Sequence, residues 1–172
     1  AVRSVEPEST MTISCANSAA LARQRRRLAS SLWEMMEIDS VRMDTEKQLA
    51  DAGLPDDLKY MLLVESKCIA AAYSKAKASG PWQFIPSTGK RYRLKSDSVL
   101  DERRNLEMST EAAVKYLKYL KDFQQNDWFL AMASYNAGED RVRKLLKEQN
   151  VTDFWRMHGP RETMRYVARI IA

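Results

Sequence analysis

The amino-acid sequence predicts an all-α protein, and three observations carry that reading. Stretches rich in Ala, Leu, Met, Lys, Arg and Glu dominate the chain and favour helix. Runs of β-branched residues of strand length are nearly absent. Only five Gly and five Pro interrupt the 172 residues. With 45% hydrophobic residues the chain can bury one sizeable core, so a single main domain with an additional N-terminal helical arm is expected.

Taken in order, residues 1–17 are rich in Ser, Thr and Glu without periodicity and read as a loosely held tail. From Ser18 a helical pattern begins, with Leu21, Leu28, Leu32 and Met35 or Met36 recurring at helical spacing. Arg23, Arg25, Arg26 and Arg27 fall mostly on its other faces and are most simply read as a solvated helix face. Asp44 or Thr45 is expected to cap a short helix ending at Gly53, a position suited to left-handed backbone. Pro55 suits the first turn of the next helix, where Asp56 and Asp57 complement the positive end of the dipole. Ser79, Gly80 and Pro81 mark a turn, followed by Trp82, Gln83, Phe84 and Ile85 before Pro86 and Gly89 punctuate the chain again. Arg93 to Glu107 reads as a charged, irregular loop. Ser109 or Thr110 is expected to cap an amphipathic helix with Ala112, Ala113, Tyr116, Leu117, Leu120 and Phe123 inward. Asp127 caps the next, which runs into Tyr135, Asn136, Ala137 and Gly138. Two further helices are expected near 139–149 and 160–171, the second opened by Pro160 with Glu162 in its first turn.

The composition excludes several functions. A net charge of +5 and a pI of about 9.2 suit an anionic partner. No aromatic residues interleave with the arginines and no groove-reading motif accompanies them, so nucleic acid is not an expected partner. No stretch of 18 apolar residues offers a bilayer span. From Ala1 there is no basic segment followed by an apolar one, as is also true of a mature exported protein. Cys15 and Cys68 are too far apart for a paired-cysteine metal or redox motif, and His158 is the single histidine, so no metal or cofactor is expected. The two cysteines suit either a disulfide in an oxidising compartment or two buried thiols.

Glu65 is where chemistry enters. Leu58, Met61 and Leu62 share a helix face, and Glu65 is the next residue on that apolar stripe. A carboxylate there points toward the core or a cleft, where poor hydration raises its pKa into the range of a general acid. The alternative is a structural Glu paired with one of the 28 Lys and Arg residues. Trp82, Gln83, Tyr135, Asn136 and Tyr166 lie in the neighbouring segments. Such side chains bind sugars through aromatic faces and amide or phenol hydrogen bonds, although each alone also suits core packing or helix capping.

The ordered motifs add a resemblance. They are Gly53-Leu54-Pro55 leading to Val64-Glu65-Ser66, then Trp82-Gln83-Phe84-Ile85-Pro86-Ser87-Thr88-Gly89 and Asp101-Glu102-Arg103. Ser109-Thr110-Glu111-Ala112-Ala113, Ser134-Tyr135-Asn136-Ala137-Gly138, and Glu162-Thr163 with Tyr166-Val167 follow in the same order. Over about 120 residues the chain resembles the lytic transglycosylases of the goose-type-lysozyme-like superfamily, and within them the membrane-bound lytic murein transglycosylase D branch. The resemblance implies a lysozyme-like helical domain at residues 53–172, preceded by a tail and helical arm at residues 1–52. It implies cleavage of peptidoglycan between N-acetylmuramic acid and N-acetylglucosamine. Glu65 matches the catalytic acid and base, and Ser74 a serine that helps to position the catalytic group. Trp82, Gln83, Tyr135, Asn136 and Tyr166 match substrate-binding positions.

No second carboxylate stands out by motif, in contrast to most glycosidases. In the family the substrate's own acetamido group assists instead, giving an anhydro-muramic product. Water attack at the same bond would give a lysozyme, and a groove that only holds glycan would give a peptidoglycan-binding domain. Where its relatives carry a Gly-Ala-x-Gly turn and an aliphatic residue the chain has Lys77, Ala78, Ser79 and Gly80 followed by Pro81, and it differs again at Cys68 and Ala70, which suggests altered acetamide recognition and a preference for partly deacetylated peptidoglycan. The expected setting is the periplasm or cell envelope, with glycan strands as the partner and the protein a monomer. Residues 1 to about 50 suit bracing the domain, walling one end of the groove, or leading from a membrane anchor.

Overall fold

The computed structural model describes residues 39–172. The N-terminal tail, most of the arm that follows it and Cys15 lie outside the described residues. The described residues form one compact unit, built from seven helices and two 3-10 turns with no β-strand among them. The all-α expectation is met.

The first helix, α1, is helical across 39–51. It corrects the expected cap at Asp44 or Thr45, because both positions are interior to the helix. Thr45 is fully buried and its hydroxyl donates to the carbonyl of Val41 one turn back at 2.8 Å, a bond that a helix interior offers and a cap does not. The end is as expected. Gly53 adopts a φ of 68°, and the bonds Leu54 N–H to Leu49 O and Gly53 N–H to Ala50 O, both 2.9 Å, close a Schellman turn over the buried Leu49 and Leu54.

Pro55 then precedes a 3-10 turn, Asp56–Lys59, that runs directly into α2, Tyr60–Ser66. Lys59 bridges back to Glu46 of α1 at 3.2 Å, tying the two segments. Leu58, Met61 and Leu62 are buried, as their spacing predicts. The helix stops just after Glu65, where Lys67 and Cys68 both turn left-handed at φ 56° and 64°. An irregular stretch follows, folded on itself by isolated bridges from Ser79 to Tyr73 and to Phe84. It ends in a short helix, α3, Pro86–Arg91. Gly89 sits inside α3 rather than ending a segment, with a Cβ-sized space closed by the Arg103 side chain at 3.1 Å.

The loop after α3 is less irregular than its charge suggests. A 3-10 turn, Glu102–Arg104, buries Arg103 to 4% exposure, and all five guanidinium N–H groups are engaged. They donate to both carboxylate oxygens of Asp101 at 2.8 Å, to the carbonyls of Lys77 at 2.8 Å and Phe84 at 2.9 Å, and to the Ser96 hydroxyl at 3.4 Å. One side chain therefore pins the backbone of the 77–84 segment.

Helix α4, Leu106–Phe123, starts earlier than expected: its cap is Asn105, whose side chain accepts from the Met108 N–H at 2.9 Å. Ser109 and Thr110 are fully buried on its inner face instead. Asp127 caps α5, Trp128–Ala137, as predicted, accepting from Leu130 N–H at 3.0 Å. Leu130 to Ser134 are buried consecutively, the mark of a helix enclosed on all sides. It packs against α4, α6 (Glu139–Gln149) and α7 (Arg161–Ile171), while α7 also packs on α2. This arrangement brings the C-terminal ends of α2 and α5 together beside the middle of α7.

Candidate active site

A cleft of about 490 Å³ opens between these ends, lined by Glu65, Ser74, Gln83, Phe84, Ile85, Thr88, Tyr116, Tyr135, Asn136 and Glu139. A larger hollow of about 710 Å³ beside α1 and the start of α4 shares no residue with it, and half of its lining is the carboxylates Asp44, Asp51, Glu107 and Glu111.

Glu65 is half-buried in the cleft wall. None of the ion pairs among the described residues involves it, so the structural reading as a Lys or Arg partner is not what the fold displays. Its partner is a phenol: Tyr166, 5% exposed on α7, donates from its hydroxyl to Glu65 Oε1 at 2.6 Å. Burial pushes the Glu65 pKa up from 4.5 to about 7; the Tyr166 bond opposes this and the nearby charge of Glu162 adds to it. The Tyr166 phenol is itself held well above its ordinary value, chiefly by burial and then by the Glu65 charge, so it remains a donor.

The other expected residues divide. Gln83 reaches the cleft from a left-handed turn, φ 48°, and its amide donates to the carbonyls of Gly80 at 2.8 Å and Ala72 at 3.3 Å. Tyr135 and Asn136 end α5 at the cleft. Asn136 Oδ1 accepts from the Thr163 hydroxyl at 2.9 Å, which fixes the amide's orientation. Ser74 lines the cleft, but its hydroxyl accepts from Ala78 N–H at 3.1 Å and so serves its own turn.

Trp82 requires a correction. It is fully buried, its indole N–H donating to Thr110 Oγ1 at 2.9 Å, and it offers no face to a sugar. Its carbonyl instead accepts from the Tyr135 hydroxyl at 2.7 Å, so Trp82 positions a cleft residue from behind. Of the unusual 77–81 turn, Ala78 alone reaches the cleft lining.

Sequence reasoning missed Tyr116, Arg91, Thr163 and Glu139. Glu139 is the first residue of α6 and reads in sequence as an acid complementing a helix dipole. Among the described residues no group of three or more His, Cys, Asp or Glu side chains is placed to hold a metal ion. Cys68 is buried.

With this geometry in view, residues 43–158 match the family described as the Transglycosylase SLT domain. The chain belongs to the transglycosylase SLT domain family. The chain is 40% identical over 129 residues to membrane-bound lytic murein transglycosylase D of Escherichia coli strain K12, a stretch that is 73% of this chain and 28% of the relative. The same figures hold for the enzyme of that name from the O6:H1 strain of Escherichia coli. The chain thus spans only 28% of the length of these relatives. The chain also superposes on an inactive mutant of the lytic transglycosylase Slt from Pseudomonas aeruginosa with a TM-score of 0.63 and 23% identity, over 76% of this chain and 22% of that one. That likeness establishes the lysozyme-like fold of the SLT domain. No helix of its described residues is long and apolar enough to cross a membrane.

Proposed function

We propose that the protein is a lytic transglycosylase that cleaves peptidoglycan glycan strands between N-acetylmuramic acid and N-acetylglucosamine, with Glu65 as the only proton carrier. The observation that carries this reading is Glu65 itself: a cleft carboxylate whose pKa is raised to about 7 by burial, close to the pH at which one group can both give and take a proton. Tyr166 occupies Oε1, which leaves Oε2 for the substrate.

In the first step Glu65 protonates the glycosidic oxygen as the bond to the muramyl anomeric carbon breaks, and the acetamido carbonyl of the same sugar closes on that carbon. In the second, the ionised Glu65 removes the proton from the C6 hydroxyl, whose oxygen displaces the acetamido oxygen and forms the anhydro ring. Glu65 ends protonated, ready for the next strand. Gln83, Tyr135 and Asn136 bind the sugars around the scissile bond, and Ser74 shapes the turn beneath them. Trp82 acts from the core. The unit that performs this runs from α1 onward, and peptidoglycan as substrate places its action in the cell envelope.

The test is digestion of purified cell walls followed by mass spectrometry. Anhydro-muramic ends support the proposal, while products heavier by one water assign the protein to hydrolysis. Glu65→Gln keeps the shape and removes the proton donor, so cell-wall clearing should fall by roughly 10³-fold with glycan binding retained. Undiminished clearing would overturn the role of Glu65, and binding without cleavage by the unaltered protein would leave a peptidoglycan-binding domain.

A further inference from the structure

The cleft holds a second carboxylate with its own support. Glu139 opens α6, and its side chain is 18% exposed. Arg91 Nη1 lies 3.2 Å from Oε1, and the Tyr116 hydroxyl donates to Oε2 at 3.3 Å. Both anchors are fixed in turn. The Arg91 guanidinium sits 4.4 Å from the Tyr119 ring centre and 5.7 Å from that of Tyr92. The Tyr116 ring packs 5.1 Å from Tyr92 and 5.2 Å from Tyr135. Burial first, and then the Glu139 charge, hold the Tyr116 phenol well above its ordinary pKa, so it stays a donor.

An ionised carboxylate accepts in about four directions. The guanidinium and the phenol take one on each oxygen, which leaves one on each for a ligand. Side by side, two such acceptors match adjacent hydroxyls of a pyranose, or a hydroxyl and an acetamido N–H. Because Arg91 already balances the charge, the pair suits neutral donors better than a free cation. Fixation of both oxygens also separates Glu139 from Glu65, which keeps one oxygen free for proton exchange.

We infer that Glu139 is a substrate-binding residue whose carboxylate accepts hydrogen bonds from neutral hydroxyl or amide donors of a sugar ring in the cleft. The inference deepens the glycan-cleaving reading and rests on it for the identity of the sugar. Arg91 and Tyr116 are positioning residues that act through Glu139.

Two measurements test it. With Glu65 intact, Glu139→Gln and Glu139→Asp should each raise KM for glycan strands about tenfold, with kcat falling less than KM rises. The Asp variant keeps the charge at the start of α6 and should melt with the unaltered protein, so its KM effect separates binding from folding. In the Glu65→Gln background, chitotetraose affinity measured by calorimetry should weaken about tenfold on adding Glu139→Asp. Unchanged KM and unchanged chitotetraose affinity would overturn the inference, as would a fall in kcat at constant KM. Tighter binding of an amine-bearing, deacetylated oligosaccharide than of chitotetraose that Glu139→Gln abolishes would also overturn it, by marking a cation site at Glu139. If the unaltered protein cleaves no glycan, the enzymatic reading fails, while the calorimetry still decides the role of Glu139.

Discussion

The Tyr166 hydroxyl lies 2.6 Å from Glu65 Oε1, a contact between residues 101 positions apart. A donated hydrogen bond favours the charged carboxylate, so the phenol restrains a pKa that burial alone would push higher. Activity that begins with protonated Glu65 should decline as pH rises through about 7. Tyr166→Phe should shift that decline to higher pH and lower kcat by about tenfold. The pH profile of kcat/KM checks both effects, and an unmoved alkaline limb would count against the restraint.

Glu65 also makes stability depend on pH. Its folded pKa of about 7 lies above the ordinary 4.5, so the folded state binds the proton more tightly than the unfolded chain. The resulting stabilisation is complete below the lower value and is lost as pH rises through the upper one. Glu65→Gln removes this dependence. Relative to its stability near pH 5, the unaltered protein should lose on the order of 2 kcal/mol near pH 8 that the variant retains, allowing for solvent at the cleft mouth. Urea unfolding at the two pH values provides the comparison.

Trp82 is fully buried and supports the fold from behind the cleft. Trp82→Phe deletes the bond to Thr110 and leaves a void beneath the cleft, with an expected loss of about 2 to 3 kcal/mol. KM for glycan should remain within about twofold, since no surface of the indole is exposed. A large rise in KM with little loss of stability would reverse this assignment.

Gly80 is a place where no side chain fits. Its φ is 83°, and a Cβ would stand 1.7 Å from the Arg103 carbonyl oxygen, which is backbone and has no easy retreat. Gly80→Ala should therefore cost about 3 kcal/mol or more and displace the cleft wall. Calorimetric melting and residual activity should fall together.

Where a signal is local, sequence and structure agree. Asp127 and Pro160 mark helix starts because capping and proline preferences act within a few residues. Glu65 stands out because a charge on an apolar stripe is visible without knowing what surrounds it. Ser109 and Thr110 mislead because a hydroxyl that caps a helix and one that meets a buried indole are the same residue type. Which role applies depends on Trp82, 28 positions away from Thr110. Trp82 itself looks like a surface aromatic after a Gly-Pro turn, until α4 and α5 enclose it. Glu139 gains meaning only when α3 and α4 deliver Arg91 and Tyr116 to it, from 48 and 23 residues away.

Arg103 holds the cleft wall through the main-chain carbonyls of Lys77 and Phe84, not through what those residues carry on their side chains. The wall can therefore be re-dressed without being moved. Exchanges at Ala78, which lines the cleft, alter the chemistry presented to a ligand while the guanidinium keeps the loop in register. The segment behaves as an interchangeable panel clipped to a fixed frame, and a designer seeking new glycan preference would vary the panel and leave the clip untouched.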